Sequence, residues 1–276
     1  MSFGIPSPPN GWGLQKPPLG VPVDQGHPLG KGVVYSFAEN TGLSSMDAAR
    51  LARPMSIVGP TWSNGGLKLT GSGDYAYAAN SAPLNPERGS FACRFSVAGT
   101  YLGSSKPLIL KSFTSHTPPY YQYGIFAQDT SPYPRSVGFF CAISGTIINV
   151  FSKNTGWNYS DVTSVVGVCT GQLLIVYVNG RRCDAAAAVG AISSYDTDLY
   201  IGAFDNLAKT STYCFPGSIF DVRVSPTVWG DDDVRRYHQE PYSMFEGDSM
   251  PMVAMPPQRL VRGMNDMQEL PGGILG

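Results

Sequence analysis

Hydrophobic and polar residues alternate along most of the chain between residues 33 and 225, the period-two pattern of strands with one buried face. Residues 90–98 show this most clearly, because Phe91, Cys93 and Phe95 fall on one face and Arg94 on the other. Similar patterns predict strands near 33–38, 66–70, 74–79, 90–98, 107–111, 123–128, 137–143, 146–151, 163–169, 172–178, 181–184, 198–203 and 218–224. The chain is therefore predicted to be almost entirely β.

Four of these runs follow one another in the second half of the chain, at 163–169, 172–178, 198–203 and 218–224. The second run stops at Asn179-Gly180, a dipeptide that tolerates the positive φ angles of a tight hairpin. Because turn residues separate the runs, we predict that the four strands form an antiparallel meander.

Helical patterns are scarce in this sequence. Residues 45–53 are predicted to form two turns capped by Ser45. Residues 231–238 begin with three aspartates and end with basic residues, an arrangement that the helix dipole favours. The sequence therefore predicts two short helices, and it contains no internal repeat and no coiled-coil heptads.

Three segments of the second half stand in a distinctive order: YVNG at 177–180, LYIG at 199–202 and FPGSIFDVRV at 215–224. This order resembles that of laminin G-like domains, which belong to the concanavalin A-like lectin and glucanase group. HPLGKGVV at 27–34 and EPYSMF at 240–245 are similar to the start and end of the copies found in bacteriophage and prophage proteins. The resemblance implies an all-β fold, a two-sheet antiparallel jelly-roll sandwich of the concanavalin A-like type.

Both ends of the chain are rich in proline and glycine, a composition that cannot pair as interior strands. We therefore expect a sandwich over residues 33–245 between two extended arms, 1–32 and 246–276. Such arms are disordered alone in water and become ordered by lying along a neighbouring subunit. The residues expected to dock in this way are Pro8, Pro9, Trp12, Met250, Met252 and Met255.

The charges of the chain argue against two classes of partner. Its 19 basic and 20 acidic residues are dispersed and give a net charge of −1, whereas phosphate contacts with nucleic acid need clustered Lys and Arg. No apolar run approaches the ~20 residues that cross a bilayer, and the first residues do not resemble a signal peptide. We expect no nucleic-acid or membrane binding, and synthesis in the cytoplasm.

The five cysteines are an odd number, and none shows the C-x-x-C spacing of a zinc site. Cys93 alternates in phase with Phe91 and Phe95, and Cys141 does so with Phe139. We therefore expect free thiols, buried as small core residues, rather than a disulfide framework. Free thiols fit a reducing compartment of synthesis.

The sequence lacks the catalytic pattern of a glucanase. Glucanases of this fold use paired carboxylates in an E-x-D-x-x-E strand, and the nearest match, Glu246 and Asp248, lies in the proline-rich C-terminal arm. No Ser or Cys occupies a G-x-S-x-G turn, and the three histidines are scattered. We expect a protein that is not an enzyme.

A calcium site is one candidate for binding chemistry. The resemblance implies calcium at the rim of the sandwich, where a hard cation takes oxygen ligands, and Asp205 and Asn206 are the first candidates. Aspartates in turns more often accept hydrogen bonds from their own backbone, so this reading stays open. We expect no other cofactor.

Glycan binding is the other candidate. In the resembling group, aromatic rings stack on sugar faces, and tyrosine and tryptophan equally anchor protein interfaces. The candidate glycan or partner contacts are Tyr120, Tyr121, Tyr123, Trp157 and Tyr159. Asp221 and Arg223, two residues apart on one strand face, are interpreted as a local ion pair.

Two functions compete. The arms, the free thiols and the phage-like motifs favour a bacteriophage virion structural protein. We predict a capsid decoration (cement) protein on the outer capsid surface, assembled in the host cytoplasm. Its partners would be the major capsid protein and neighbouring copies of itself. Trimers are common among shell decoration proteins.

The alternative is a carbohydrate-binding tail or head-fibre protein that recognises a host-surface glycan. A third reading, a secreted bacterial sugar-binding domain, is disfavoured by the first residues.

Overall fold

The structure is a computed structural model that describes residues 16–17, 20–37, 41–63, 65–99, 105–112, 117–130, 132–153, 157–204 and 214–245. The strands are β1 (Val33–Tyr35), β2 (Ser44–Ser45), β3 (Met55–Val58), β4 (Thr61–Ser63), β5 (Gly66–Thr70), β6 (Tyr75–Ala78), β7 (Gly89–Val97), β8 (Lys106–Ser112), β9 (Tyr121–Gln128), β10 (Ser136–Ile143), β11 (Thr146–Phe151), β12 (Thr163–Cys169), β13 (Leu173–Val178), β14 (Arg181–Ala187), β15 (Leu199–Ile201) and β16 (Pro216–Ser225). Helix α1 spans Asp231–Gln239, and single 3-10 turns lie at Pro28–Gly30 and Ala82–Leu84. No helix in this part of the chain is long and apolar enough to cross a membrane.

The strands form two antiparallel sheets that pack face to face. Sheet 1 has the order β14-β13-β12-β7-β16-β5-β4, with β1 paired to β16. Sheet 2 has the order β11-β10-β9-β8-β15-β6-β3-β2. Their inner faces enclose one core that includes Phe91, Ile125 and Phe139. The predicted all-β, two-sheet antiparallel sandwich is confirmed.

Every strand predicted from the sequence is present to within a few residues, because each alternates between the core and an outer face. Cys93 and Cys141 lie in the core as expected, and all five cysteines are free. Cys183 differs from the other four in being only half-buried. The short strands β2, β3 and β4 were missed, since two to four residues are too few to establish a period.

The predicted meander of four strands is wrong for its last two. β12, β13 and β14 pair in sequence within sheet 1. β15 instead lies in sheet 2 between β8 and β6, and β16 returns to sheet 1 between β7 and β5. The segment before β15 crosses the end of the sandwich, where the N–H of Ser193 donates to the Ala142 carbonyl of β10 at 2.8 Å. Turn residues indicate a reversal, but they do not indicate which sheet the next strand joins.

The helix predicted at 45–53 is absent. Ser45 belongs to the edge strand β2, and turns follow it around the buried carboxylate of Asp47. That carboxylate accepts hydrogen bonds of 2.6–3.0 Å from the backbone N–H groups of Val34, Ala49, Leu51 and Ala52. An aspartate that collects local N–H groups in this way stabilises turns in competition with a helix.

The outer face of sheet 1 is covered by α1 and by the segments before β1 and after α1. α1 confirms the second predicted helix. Val23 pairs with Phe245, and the N–H of Asp24 donates to the Met244 carbonyl at 2.8 Å. Leu29 is fully buried in the same layer. The two segments therefore meet on this face.

This placement bears on the expected arms. Residues 20–32, which the sequence analysis assigned to the N-terminal arm, pack on sheet 1 through Val23 and Leu29. The expected docking residues Pro8, Pro9, Trp12, Met250, Met252 and Met255 lie outside the described residues. Their docking stays a prediction.

A buried ion pair lies beneath this cover. Arg223 Nε is 3.6 Å from Asp221 Oδ1, as the spacing predicted, and both side chains are almost completely buried. The hydroxyl of Tyr237 on α1 donates to the same oxygen at 2.6 Å. The Arg223 guanidinium lies 4.6 Å from the Tyr237 ring centre and donates to the carbonyls of Leu29 and Pro241. Arg223 thus joins sheet 1, α1 and both covering segments.

Candidate functional site

The outer face of sheet 2 carries two clusters of aromatic side chains, which together we call the aromatic face. Residues paired across neighbouring strands point to the same side of a sheet. One row of such pairs crosses six strands on the side away from the core, through Tyr77, Tyr200, Leu110, Gly124, Phe140 and Asn149. The aromatic face consists of Tyr75, Tyr77, Tyr121, Phe126, Phe140, Tyr200 and Phe204.

Three tyrosines form one end of the aromatic face. Tyr77 and Tyr200 stack with ring centres 5.9 Å apart, and Tyr75 lies 6.1 Å from each of them. All three are half-buried. Ala76 and Ala78, their neighbours on β6, are fully buried in the core. The tyrosines therefore hold each other while part of every ring stays in contact with solvent.

A second ring cluster lies across β9 and β10. The Tyr121 ring is 5.1 Å from that of Phe140, and the Phe126 ring is 4.8 Å from Phe140. Phe204 packs against both Tyr121 and Phe126, at 6.1 and 5.7 Å. Gly124 lies beneath them, because an added Cβ there would come within 2.8 Å of the Phe140 ring. The absence of a side chain at this position lets the rings lie directly on the sheet.

A groove of about 540 Å³ lies beside this second cluster, between the loop before β9 and the β10–β11 hairpin. Tyr120 stands at its edge with 47% of its surface exposed. The groove is lined by Pro118, Pro119, Tyr120, Tyr121, Phe140, Gly145, Thr146, Ile147 and Asn149. None of these residues is charged, and Thr146 and Asn149 offer exposed polar groups. The groove therefore combines ring faces with neutral hydrogen-bonding groups.

Two of the five aromatic residues proposed from sequence line this groove, namely Tyr120 and Tyr121. Tyr123 does not, since its side chain enters the core between the sheets. There its ring is 4.3 Å from that of Phe91, and its hydroxyl donates to the Leu84 carbonyl at 3.0 Å. Tyr121 is two residues from Tyr123, so strict alternation would place both side chains in the core. The pairing of β9 with β8 is irregular between these two residues, and Tyr121 lies on the outer face instead.

Trp157 and Tyr159 lie near the opposite end of sheet 2. Trp157 is 2% exposed, and its Nε1–H donates to the carbonyl of Ser136, the first residue of β10. Tyr159 packs edge-on against it at 5.0 Å and donates to Asp129, just after β9. β9 has eight residues and spans ~24 Å, so this pair and the groove cannot contact one sugar ring.

Sequence reasoning missed the strand residues of the aromatic face. Tyr75 and Tyr77 alternate with Ala76 and Ala78 in a predicted strand. The large rings therefore occupy the face away from the core while the smallest side chains enter it. This inverted alternation was a usable signal. Tyr200 in LYIG likewise stands between two residues that enter the core, Leu199 and Ile201.

Calcium remains a prediction. Asp205 and Asn206 lie outside the described residues. Within the described ranges, no group of three or more His, Cys, Asp or Glu side chains is arranged to hold a metal ion. Asp196 and Asp198 instead accept hydrogen bonds from Asn80, at 2.7 and 2.9 Å. These two aspartates therefore hold neighbouring loops together through hydrogen bonds.

A buried lysine lies near the start of β9. The Lys111 ammonium donates to Gln122 Oε1 at 3.0 Å and to the Tyr195 carbonyl at 2.7 Å. Burial lowers the pKa of Lys111 from 10.5 to about 8, and the nearby Asp196 and Asp198 oppose this only in part. The folded protein therefore binds fewer protons than the unfolded chain between about pH 8 and 10.5, so this group raises stability as the pH rises through that window.

We expect the difference in unfolding free energy between wild type and Lys111→Met to shift by about 2 kcal/mol in favour of wild type from pH 7 to pH 10. Urea unfolding at several pH values measures this difference, in which the titration of other groups cancels. The matched control is Lys68→Met, which removes a lysine from an exposed position on β5. A Lys111→Met difference that changes with pH no more than the Lys68→Met difference would contradict the prediction.

No model of a protein family matches the chain, and no curated protein matches it in sequence. Solved structures do match. Trypanosoma rangeli sialidase in complex with sialic acid is similar with a TM-score of 0.57 at 16% identity, over 75% of this chain and 32% of the sialidase chain. The chain thus spans about a third of the sialidase.

Two further similarities involve separate domains. Domain 4 of AbnA, a GH43 extracellular arabinanase from Geobacillus stearothermophilus, in complex with arabinotriose, has a TM-score of 0.56 at 12% identity, over 76% of this chain and 98% of that domain. The binding domain of Paraclostridial Mosquitocidal Protein 1 has a TM-score of 0.55 at 10% identity, over 77% of this chain and 52% of that one. These similarities show the β-sandwich fold.

Proposed function

We propose that this protein is a non-catalytic carbohydrate-binding sandwich that holds a neutral glycan on the aromatic face. The observation that carries the proposal is the uncharged groove bordered by Tyr120, Tyr121 and Phe140, with Asn149 among its polar groups. A sugar presents C–H groups on its ring faces and hydroxyls at its rim, so it needs both kinds of contact. Ligand sites commonly combine an apolar lining with a few polar groups in this way.

The spacing of the rings favours a chain of sugars over a single one. Tyr200 on β15 and Phe140 on β10 belong to one cross-strand row and are separated by β8 and β9. Neighbouring strands lie ~4.8 Å apart, so the backbones at Tyr200 and Phe140 are ~14 Å apart, farther than one sugar ring reaches. An oligosaccharide that runs across the strands would contact both clusters. The arabinotriose complex of the similar arabinanase domain supports this use of the fold.

The test is calorimetric titration of the full chain with neutral oligosaccharides of increasing length. We expect affinity to rise until the ligand spans both clusters. Tyr121→Ala should weaken binding at least tenfold, about 1.4 kcal/mol, because it removes a central ring. The matched control is Trp62→Ala, which removes a half-buried ring from β4 in sheet 1 and should leave binding unchanged. Absence of binding to any member of a broad neutral glycan panel would refute the proposal.

We also propose that the protein is a bacteriophage virion component, a capsid decoration protein that displays this sandwich. The segments similar to phage-borne domains, 27–34 and 240–245, meet on sheet 1, where Arg223 contacts Leu29 and Pro241. The pairing of Val23 with Phe245 supports arms that leave the sandwich on this side. Arms that leave from sheet 1 could hold the major capsid protein and neighbouring copies while the aromatic face points away from the shell.

Quantitative mass spectrometry of gradient-purified particles tests this second proposal. Copies close in number to the major shell protein are expected for decoration. A few copies per particle would instead favour a tail or head fibre that carries the same glycan site. Absence from particles would refute a virion role and leave the glycan proposal intact.

A further inference from the structure

A second cavity, of about 390 Å³, lies on the opposite side of the sandwich from the aromatic face, beside the C-terminal end of α1. It is lined by Arg94, Val162, Ser164, His238 and Gln239. We propose that this cavity binds one oxyanion, a carboxylate or phosphate group, held between the Arg94 guanidinium and the Ser164–His238 pair.

The backbone fixes the donors side by side. On β7, Cys93 and Phe95 enter the core, so Arg94 points outward toward α1. Ser164 is its partner on β12, and Asp221 is its partner on β16. Three neighbouring strands of sheet 1 thus present a hydroxyl, a guanidinium and a carboxylate in one row, and His238 lies above the hydroxyl end of that row.

The charges of the row leave an excess of positive charge at the cavity. Asp221 is the acidic partner of two arginines, and its Oδ1 already accepts from Tyr237 and lies 3.6 Å from Arg223 Nε. The Arg94 guanidinium is 5.8 Å from the Tyr242 ring centre, a contact that positions it without neutralising it. None of the five lining residues is acidic. A bound anion would balance this charge, and buried charges are stable when paired.

Ser164 and His238 supply a further donor. Ser164 Oγ is 2.9 Å from His238 Nδ1. If the hydroxyl donates to Nδ1, the Nε2–H of the imidazole remains available. If Nδ1–H donates to Oγ, the serine hydroxyl remains available. In either tautomer, one N–H or O–H of the pair is left to donate to a ligand oxygen, and Gln239 adds an amide.

The experiment is titration of the full chain with inorganic phosphate, acetate and glucuronate, with acetamide as the uncharged control. We expect Arg94→Gln to weaken anion binding at least tenfold. The matched control is Arg235→Gln on α1, whose exposed guanidinium pairs with Asp232 at 3.0 Å and which should bind as wild type does. If Arg94→Gln does not fold, His238→Phe replaces it. This change removes the imidazole donor and leaves Ser164 Oγ without its partner, so it should also weaken binding.

The panel distinguishes the source of the anion. Phosphate binding alone would assign a phosphate site, and binding of acetate and glucuronate would assign a carboxylate site. No anion binding by wild type, or equal binding by wild type and both cavity variants, would overturn the proposal. Tyr121→Ala should leave anion binding unchanged, so this result is independent of the glycan site.

Discussion

Arg223→Met is expected to lower the free energy of unfolding by about 3–5 kcal/mol, the usual cost of removing one partner of a buried ion pair. Arg223 is 1% exposed, and its removal takes away the cation nearest to the Asp221 carboxylate, which keeps the Tyr237 hydroxyl and the more distant Arg94 on β7. The carbonyls of Leu29 and Pro241 lose their donor as well. Urea or guanidinium unfolding followed by tryptophan fluorescence measures the change.

The matched control for this prediction is Arg235→Met on α1. Its pair with Asp232 is also a short Arg–Asp contact, but the two side chains are 58% and 90% exposed. Exposed pairs contribute little, so the control should stay within about 0.5 kcal/mol of wild type. Asp221→Asn combined with Arg223→Met should be less destabilised than the sum of the single changes, because neither member of this buried pair is then left without the other. Equal stability of Arg223→Met and wild type would show that the buried pair does not hold the cover on sheet 1.

The same ion pair illustrates how far sequence reasoning reaches. The i, i+2 spacing was enough to place Asp221 and Arg223 on one strand face and to predict their contact. It was not enough to predict their burial, because outer-face residues of a sandwich are normally exposed. Burial depends on α1 and the two covering segments, whose contacts with β16 are distant in sequence. Local pattern therefore identified the strand, and tertiary packing decided the environment of its side chains.

The candidate glycan site shows a similar limit. Clustered aromatic residues in one loop identified Tyr120 and Tyr121, which line the groove. The same reasoning included Trp157, because its neighbours gave no alternation that would reveal a buried ring. Phe140 and Asn149 were not identified, since they come from different strands and meet only through cross-strand register. When several strands contribute to a site, the sequence shows only that each contributing residue faces away from the core. It does not show that these residues meet.

The two faces of the sandwich have different chemical characters. The face of sheet 1 is covered, carries buried charges and joins the two end segments. The face of sheet 2 is uncharged along its groove and presents half-buried rings. A protein that attaches to one partner and displays a ligand site to another needs this kind of separation. Because the two faces differ in this way, the glycan, anion and virion proposals can be tested with separate sets of variants.

The second large effect is expected at Gly217, within the FPGSIFDVRV segment. Gly217→Ala should destabilise the fold by on the order of 3 kcal/mol or more, because an added side chain would overpack a fixed backbone contact. Gly217 pairs with Leu69 on one side and Val97 on the other. A Cβ there would lie 2.2 Å from the Ser96 carbonyl oxygen. That oxygen belongs to the backbone of β7, so it cannot rotate away as a side chain would.

Gly230→Ser is the matched control for Gly217→Ala, since an added Cβ at Gly230 meets no atom within 4 Å. Gly230 precedes α1, where serine is a favourable N-cap, so this change should be neutral or slightly stabilising. Denaturant unfolding of both variants gives the comparison. If Gly217→Ala were as stable as wild type, β7 and β16 would have to separate at little cost. Because β16 carries Asp221 and Arg223, such freedom would also loosen the cover of sheet 1. We therefore expect the strand pair to resist the added methyl group, and the whole sandwich to lose stability with it.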